Sequence, residues 1–462
     1  MPRIPVSSSA LSRRLLLTAA GAASLGAALS ACGGGGSDGG STSSKPVSQA
    51  DIDKAMKTPT ELTFWTWVPE IAAEIALFEK KYPAIKVKAV NAGQGTPEYT
   101  KLRTALKAGS GAPDLVQIEF QAIPTFTITD SLLDLRPYGA SALKSQFVDW
   151  TWSQVSGSDG EVWAIPQDTG PMGMLYRQDI FDKHGIEVPK TWDEFAEAAR
   201  KLHKADPDVY LTNLAANQVA AWHGLLWQAG AKPYVTSGKS DIAISVDDAV
   251  SKKLGAFWGA LAQEGVIGVE PDFTDSWYAA LNKGKYATWI VGAWGPAFLS
   301  GSAKDTAGKW RAAPLPQWDA AKPSAGNWGG STTAVIRSTK NPIAAAEFAK
   351  FLNSDPESAK LFATKQFFFP ATKALLADAS FSGATPAFYG GQKVNEVFAG
   401  ISAQVDPSFQ WPPFLDQVAT DWTETVGLSL ARKTDTVAAL AGWQSRLTTF
   451  AKKQGFTVKA AP

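Results

Sequence analysis

The chain has 462 residues, of which 44 are basic and 43 are acidic, so its formal net charge at pH 7 is only +1. This balance disfavours nucleic acid as a partner, because nucleic-acid-binding surfaces carry a clear excess of positive charge. One cysteine and three histidines in the whole chain disfavour disulfides, thiol catalysis, zinc-thiolate sites and a Ser-His-Asp enzyme. We therefore expect no cofactor, no metal site and no catalytic activity.

The first 31 residues have the pattern of a signal peptide of the lipoprotein type. Arg13 and Arg14 precede a short apolar run rich in Leu and Ala, which ends in Leu-Ser-Ala-Cys at Cys32. This tetrapeptide fits the lipobox, where a peptidase cuts before a lipid-modified cysteine. The apolar run is too short and too rich in small residues to span a membrane as a helix. Cys32 is the predicted lipidation site (palmitate), which places the protein on the extracytoplasmic face of the cell membrane.

Two features of this leader stay open at the level of sequence. An ordinary secretory signal with an incidental cysteine is the alternative to lipoprotein processing. The pair Arg13-Arg14 resembles a twin-arginine signal, which would mean export after folding, although ordinary signals also carry two basic residues.

Residues 32–58 are predicted to form a flexible tether. The stretch 33–44 consists almost entirely of Gly and Ser, which cannot bury apolar surface and therefore does not fold by itself. The folded part begins near residue 59 and has about 400 residues, more than a single hydrophobic core usually supports. We expect at least two lobes.

Strand and helix patterns alternate along the first part of this body. Residues 62–67, 85–89 and 113–118 are short segments with the character of buried strands. Helical patterns lie between them, one opened by Pro69 and the other by Pro97. Strands joined by helices with short connections predict an α/β fold with parallel strands.

The alternation continues in the second half. Thr191 and Glu194 form a capping-box pattern, which predicts the start of a helix. Helical patterns extend to residue 455, and no sequence repeat is visible. Further strand patterns lie at residues 161–168, 173–176, 286–291 and 332–336.

Eighteen tryptophans are an unusually large number. Trp192, Trp258 and Trp443 lie within helical patterns, and we assign all three to packing. The flat apolar face and the polar N–H edge of the other indoles suit the binding of amphipathic rings, sugars above all.

Several motifs resemble those of carbohydrate-type extracellular solute-binding proteins that feed ABC importers, the relatives of maltose-binding protein in bacterial solute-binding family 1. The resemblance covers nearly all of residues 60–455. In this family the stretch 189–194 (Pro-Lys-Thr-Trp-Asp-Glu) is structural, so it indicates the fold and not the ligand. The matching segments are 111–116, 164–166, 174–177, 179–186, 189–195, 282–287, 292–294, 341–342 and 346–348.

The resemblance implies a two-lobe periplasmic-binding-protein-like fold with a ligand cleft between the lobes, which close by hinge bending. It implies three connections between the lobes, near residues 167–169, 291–293 and 336–338. The implied partners are the transmembrane permease subunits of an ABC transporter, and we expect a monomer. The predicted N-terminal lobe comprises residues 59–167 and 293–337, and the C-terminal lobe residues 168–292 and 338–462.

Candidate ligand-binding residues lie where strand patterns end, because open α/β sheets bind ligands beyond the carboxyl ends of their strands. Trp67 ends the first strand, and Glu119, which follows the third, could accept hydrogen bonds from two hydroxyls. Asp168 lies in the first implied connection, where family members often place an acidic residue on a sugar hydroxyl. Trp294, between two glycines, is expected to stack on the ligand.

Further candidates come from the later part of the chain. Trp328 is expected to form a wall of the cleft, and Gly329 and Gly330 to let backbone N–H groups approach the ligand. Trp411, in a Trp-Pro-Pro setting, falls where family members carry an aromatic residue on the far lobe. Trp222 and Phe369 (or its neighbour Phe368) are weaker candidates.

These candidates include carboxylates, aromatic rings and amides but no cluster of Arg or Lys, which an anionic ligand would recruit. The predicted ligand is therefore a neutral mono- or oligosaccharide. Two alternatives stay open. The same fold could bind a polyamine, a peptide or a metal chelate, and a lipid-anchored glycan-active enzyme could use Glu119 and Asp168 as its carboxylate pair.

Overall fold

The computed structural model describes residues 45–459, so the predicted signal peptide, Cys32 and residues 33–44 of the predicted tether lie outside the described residues. The remainder of the predicted tether is not simply a flexible segment, because the helix Gln49–Ala55 forms within it and packs on the helix Pro342–Ser354. None of the helices between residues 45 and 459 combines the length and the apolar character needed to cross a bilayer. The strands are β1 (Thr60–Trp65), β2 (Ile85–Val90), β3 (Leu115–Glu119), β4 (Ala164–Pro166), β5 (Met172–Arg177), β6 (Tyr234–Ser237), β7 (Asp241–Ile244), β8 (Thr288–Gly292), β9 (Trp310–Pro314), β10 (Ser331–Val335) and β11 (Thr457–Lys459).

The strands form three sheets that pack against helices, and the predicted α/β fold class is confirmed. The α-helices are α1 (Gln49–Ala55), α2 (Ala72–Lys81), α3 (Thr96–Ala108), α4 (Ile123–Thr127), α5 (Asp149–Val155), α6 (Gln178–His184), α7 (Trp192–Ala205), α8 (Val219–Gln228), α9 (Ala249–Glu264), α10 (Asp275–Lys283), α11 (Gly295–Ser302), α12 (Pro342–Ser354), α13 (Pro356–Thr364), α14 (Lys373–Leu376), α15 (Ala379–Ser382), α16 (Val394–Ser402), α17 (Leu415–Trp422), α18 (Leu428–Arg432) and α19 (Thr436–Lys453).

The first sheet has the strand order β2-β1-β3-β10-β4. Strands β2 and β3 run parallel to β1, as the sequence predicts, so their carboxyl ends meet at one edge. Strand β10 is antiparallel to β3 and β4, and its first residue, Ser331, pairs with Glu119, the last residue of β3. The start of β10 is therefore held at the edge where the parallel strands end.

The second sheet has the order β8-β5-β9, with both neighbours antiparallel to β5. A third sheet, β11-β7-β6, packs on helix α19, which in turn packs on α9. The predicted capping box at the start of α7 is present. The Thr191 hydroxyl accepts a hydrogen bond from the Glu194 N–H at 3.2 Å, and the Glu194 carboxylate accepts one from the Thr191 N–H at 3.1 Å.

The chain passes between the first and second sheets at three places, only one of which coincides with a predicted connection. Residues 167–171 join β4 to β5, as expected. The predicted connections at 291–293 and 336–338 stay within one lobe, because β8 leads to β9 in the same sheet and β10 leads to α12, which packs on β10, β4 and β1. The chain returns to the first sheet between β9, which belongs to the second sheet, and β10, which belongs to the first. It passes to the second sheet again after α13, because α16 packs on β5 and β9.

The sheets therefore group two segments differently from the predicted lobe boundaries. Strand β9 belongs with the second sheet, although 293–337 was assigned to the N-terminal lobe. Helix α12 belongs with the first sheet, although 338–462 was assigned to the C-terminal lobe. A local sequence pattern shows that a segment is buried but does not show which sheet it pairs with.

Candidate functional site

The carboxyl edge of the first sheet brings Glu119, Asp168 and Ser331 together. Ser331 pairs with Glu119 across β10 and β3. The Ser331 N–H donates a hydrogen bond of 3.0 Å to Oδ1 of Asp168, whose side chain is almost completely buried. The two carboxylates predicted from strand ends thus lie at the same place, on either side of the start of β10.

Two of the three connections between the lobes, residues 167–171 and the segment between β9 and β10, are hydrogen-bonded to each other just beyond this edge. The Trp328 N–H donates to the Gly170 carbonyl at 2.8 Å, and the Gly170 N–H donates to Oδ1 of Asn327 at 2.9 Å. A Cβ on Gly170 would lie 2.0 Å from the Trp328 carbonyl oxygen, so only glycine allows this approach. Trp328 is thereby held close to Asp168, two residues before Gly170.

Gly329 and Gly330 both have left-handed backbones, with φ of +87° and +95°. A Cβ on Gly330 would lie 2.7 Å from the Phe120 ring and 2.9 Å from the Asp168 carbonyl oxygen. The pair is thus required for a tight turn between the lobes. That their N–H groups also contact a ligand stays a prediction.

Trp294 and Trp328 form the centre of an aromatic group on the side of the second lobe. The Trp294 indole N–H donates to the Trp328 carbonyl at 2.7 Å, and the two rings lie 5.1 Å apart at 84°. Trp289 packs on Trp294 at 5.9 Å, and Phe273 packs on both Trp294 and Trp328. Trp294 is half-buried, so part of its ring remains open.

Trp67 lies at the same edge, near the start of the loop that follows β1. Its N–H donates to Oε1 of Gln117 at 3.1 Å, and the Thr66 hydroxyl donates to the same oxygen at 2.7 Å. Gln117 belongs to β3, so the loop carrying the half-buried Trp67 ring is tied to the strand that ends in Glu119.

Burial keeps the carboxyl groups of this edge from ionising readily. It raises the pKa of Asp168 to about 7, and the charge of Glu119 acts in the same direction. Burial also raises the pKa of Glu119, against the effect of the Tyr99 hydroxyl, which donates a hydrogen bond to Oε2 of Glu119 at 3.0 Å. Neither Asp168 nor Glu119 forms an ion pair with an Arg, Lys or His side chain among the described residues, although a buried carboxylate is normally compensated by such a cation.

Glu98, in the first turn of α3, is a third carboxyl group that sequence reasoning missed. Its side chain is fully buried, and neither carboxylate oxygen has a hydrogen-bond partner. Burial, followed by the charge of Glu119, raises its pKa to about 8. An acidic residue in the first turn of a helix is ordinary in any sequence, so no local signal distinguished this one.

A small cavity on the second-lobe side contains another missed acid, Asp272. The cavity has a volume of about 20 Å³, room for roughly one water molecule. Oδ1 of Asp272 and the indole N–H groups of Trp258 and Trp277, which line it, have no hydrogen-bond partner. Burial raises the pKa of Asp272 to about 7. Trp289 and Trp328 line the same cavity, which connects it with the aromatic group.

Three other predicted residues present no open ring face in this structure. Trp222 is 1% exposed and packs near Trp422. Trp411 is 6% exposed, packs on His223, and donates from its indole N–H to Gln154 at 2.8 Å. Phe369 is also buried. Packing accounts for the burial of all three, and their contact with a ligand stays a prediction.

Trp192, Trp258 and Trp443 are each at most 1% exposed, as expected for packing residues. Within residues 45–459, no group of three or more His, Cys, Asp or Glu side chains is arranged to hold a metal ion. The polar groups that the structure does bring together are carboxyls, a phenol, amides and indoles.

Two α/β lobes, joined by three connections that carry buried acids and tryptophans, define a two-lobe periplasmic-binding-protein fold. The chain belongs to the family of bacterial extracellular solute-binding proteins, whose profile matches residues 65–359, more than half of its length.

Several members with assigned ligands are similar to this chain. The binding protein associated with an ABC transporter of B. animalis subsp. lactis, solved in complex with β-1,6-galactobiose, is 34% identical with a TM-score of 0.75, over 86% of this chain and 99% of that one. The arabinooligosaccharide-binding protein of Halalkalibacterium halodurans is 26% identical over 304 residues, 63% of this chain and 67% of its own length. The lactose-binding protein of Rhizobium radiobacter is 24% identical over 382 residues, 78% of this chain and 86% of its own.

Proposed function

We propose that this protein captures a neutral mono- or oligosaccharide in the cleft between its lobes and delivers it to the permease of an ABC transporter. Lipid on Cys32 would keep it at the extracytoplasmic face of the membrane. Family membership supports solute binding outside the cytoplasm, and the similar proteins named above bind galactobiose, arabino-oligosaccharides and lactose.

The observation that carries the sugar proposal is the set of buried or half-buried acids without an ion-pair partner. Asp168, Glu98 and the half-buried Glu119 lie at one edge, and Asp272 lies on the opposite lobe. A carboxyl oxygen can accept a hydrogen bond from a sugar hydroxyl, which donates it without bringing a charge into the buried site. The half-buried Trp294, packed on the buried Trp328, adds an apolar face beside these acceptors, the combination that a pyranose or furanose ring requires.

Two ion pairs hold the lobes close in this structure. Arg103 of α3 contacts Asp416 of α17 at 2.6 Å, and Lys239 of the β6–β7 turn contacts Asp130, which follows α4, at 2.8 Å. Each pair joins an element of the first lobe to one of the second. This arrangement supports closure of the lobes around a ligand, in which the Asp168–Ser331 region acts as part of the hinge.

Calorimetric titration against mono- to tetrasaccharides, including β-1,6-galactobiose, lactose and arabino-oligosaccharides, tests the proposal. We expect at least one neutral saccharide to bind, and Asp168→Asn to weaken its binding about tenfold or more, since a hydrogen bond to a charged group contributes about 1.5–3 kcal/mol. Asp193→Asn, at an exposed site on α7, is the matched control. Absence of binding across the panel would contradict the proposal.

A polyamine is the second candidate, because the same four acids would also attract ammonium groups. Titration with putrescine and spermidine separates the two. A polyamine would bind through charge and lose affinity steeply as salt rises, whereas binding of a neutral sugar would change little. Release of reducing sugar from a glycan panel would instead identify a glycan-active enzyme.

A further inference from the structure

Four aromatic side chains form a continuous strip that leads from the interior of the proposed site to the surface. We call Trp328, Trp294, Phe273 and Phe298 the aromatic strip. Trp328 is 7% exposed, Trp294 is half-buried, Phe273 is 36% exposed and Phe298 is 52% exposed. Exposure thus rises along the strip, from its inner to its outer end.

Each ring of the strip contacts the next. Trp328 and Trp294 lie 5.1 Å apart, Phe273 lies 6.0 Å from Trp294 and 6.2 Å from Trp328, and Phe298 lies 5.4 Å from Trp294 at 80°. These separations are those of interacting aromatic rings. The Trp328–Trp294, Trp294–Phe298 and Phe273–Trp328 planes cross at 84°, 80° and 69°, and the Trp294–Phe273 planes at 39°. The strip is therefore a stepped surface, along which an oligosaccharide can bend at its glycosidic linkages.

The backbone at Phe273 is left-handed, with φ of +58°. This conformation is uncommon for a bulky residue, and residues held in it cluster at ligand-binding and active sites. The preceding residue, Asp272, is buried in the cavity beside Trp328, whereas the Phe273 ring is exposed. The unusual turn therefore directs an acid inward and an aromatic ring outward at the same place.

Phe298 is exposed although its neighbour on α11 is buried. Leu299 has no exposed surface and anchors the helix, so the structure does not need Phe298 for packing in the core. Its ring contacts Trp294 and otherwise leaves apolar surface open. Covering that surface with a ligand would be favourable.

We propose that the aromatic strip is an extended binding surface for an oligosaccharide of at least three units, with inner units on Trp294, which the buried Trp328 supports, and on Phe273, and an outer unit on Phe298. This inference rests on the proposed function and adds the length of the ligand. A saccharide is favoured over a protein partner because the strip is continuous with the rings beside the buried acids, which accept hydrogen bonds from hydroxyls.

The test compares ligand lengths in the parent and in Phe298→Ala by calorimetry. The probes are β-1,6-linked galacto-oligosaccharides and arabino-oligosaccharides of two to five units. We expect the parent to bind a trisaccharide or longer chain about tenfold more tightly than the disaccharide. Phe298→Ala should remove most of this gain and leave disaccharide affinity within about twofold of the parent, whereas Phe298→Tyr should retain the gain.

Leu428→Ala is the matched control, since Leu428 is a 40% exposed apolar residue outside the strip. Equal affinity of the parent for short and long chains, or an unchanged gain in Phe298→Ala, would overturn the inference and leave saccharide binding intact. If no saccharide binds at all, the proposed function fails and the inference fails with it. Slower uptake by cells carrying Phe298→Ala, with unchanged affinity for every length, would assign the strip to a permease contact and also overturn the inference.

Discussion

The indole N–H of Trp294 donates a hydrogen bond of 2.7 Å to the main-chain carbonyl of Trp328. This bond fixes the Trp294 ring against the connection between β9 and β10. A Cβ on Gly292 would lie 2.6 Å from both the Trp294 Nε1 and the Trp328 oxygen, so a glycine two residues before the tryptophan is needed for the approach. The orientation of the half-buried ring is therefore set before a ligand arrives, which lowers the entropy lost on binding.

We expect Trp294→Ala to weaken saccharide binding about tenfold, because covering ~50–80 Å² of sugar surface contributes about 1–2 kcal/mol. Trp294→Phe should bind better than Trp294→Leu, since it keeps a flat face but loses the hydrogen bond to Trp328. Calorimetry with the tightest saccharide of the panel measures the difference. Trp318→Ala removes a half-buried tryptophan that packs on Trp192 and serves as the control. Parent-like binding by a folded Trp294→Ala would exclude this ring from the site.

Gly330→Ala should destabilise the fold by several kcal/mol, because its φ is +95° and a Cβ would meet both the Phe120 ring and the Asp168 carbonyl within 3 Å. Gly400→Ala is the matched control, since Gly400 lies within α16 and a Cβ there has open space. That control should be neutral or stabilise by about 0.5–1 kcal/mol. Urea unfolding measures both. Equal stability of the two variants would contradict the close packing of the β9–β10 connection.

The contribution of Asp168 to the free energy of unfolding of the ligand-free protein should fall as the pH rises from about 4 to 7, whereas the buried His223, whose pKa is lowered to about 4, contributes in the opposite direction. Asp168 has a pKa of about 7 in the folded state and an ordinary value near 4 when unfolded, so within this window the folded state binds the extra proton. Stability is then lost as the pH rises through the folded pKa. Asp168→Asn should remove this contribution, so the change in the free energy of unfolding between pH 4.5 and 7.5 should differ from that of the parent by on the order of 2–4 kcal/mol.

Urea unfolding at pH 4.5, 6 and 7.5 tests this dependence. Asp193→Asn makes the same chemical change at an exposed position and should leave the slope as it is in the parent. Glu98 and Asp272, whose pKa values are raised to about 8 and about 7, contribute in the same direction. A parent-like slope in Asp168→Asn would show that this carboxyl is not the desolvated group that the structure describes.

The double variant Arg103→Ala, Lys239→Ala should shift the ligand-free protein toward an open form. Both ion pairs are exposed, so each contributes about 0–1 kcal/mol and affinity should fall only a few-fold. Small-angle scattering should give a larger radius of gyration for the variant without ligand and the parent value with saturating saccharide. Lys86→Ala removes an ion pair within one lobe and is the control. An unchanged radius in the double variant would show that these pairs do not stabilise closure.

Cys32→Ala should release the protein from the membrane fraction, because it removes the proposed lipid attachment site. Fractionation of cells followed by immunoblotting measures the effect, with Ser30→Ala as a nearby control. Retention of the Cys32→Ala protein in the membrane through the same apolar segment would contradict the lipoprotein assignment.

Local sequence patterns were sufficient to predict the α/β fold, the capping box at Thr191 and Glu194, and the placement of acids at strand ends. Each of these depends on residues close in sequence: side chains that alternate along a strand, or a hydroxyl three residues from the N–H that it caps. Glu119 and Asp168 could be expected near one another because parallel strands end at a common edge.

Tertiary structure alone decided which sheet each later segment joined and which tryptophans became enclosed. Strand β9 and helix α12 carry ordinary apolar patterns, and the lobe in which each is buried depends on pairings between residues far apart in the chain. For the same reason the sequence does not single out Glu98 and Asp272. In a sequence, an acidic residue that becomes buried looks the same as one that stays exposed to water, because its burial depends on residues far away in the chain. Burial is a property of the assembled fold, which leaves part of the Trp294 ring accessible to solvent and encloses the Trp411 ring.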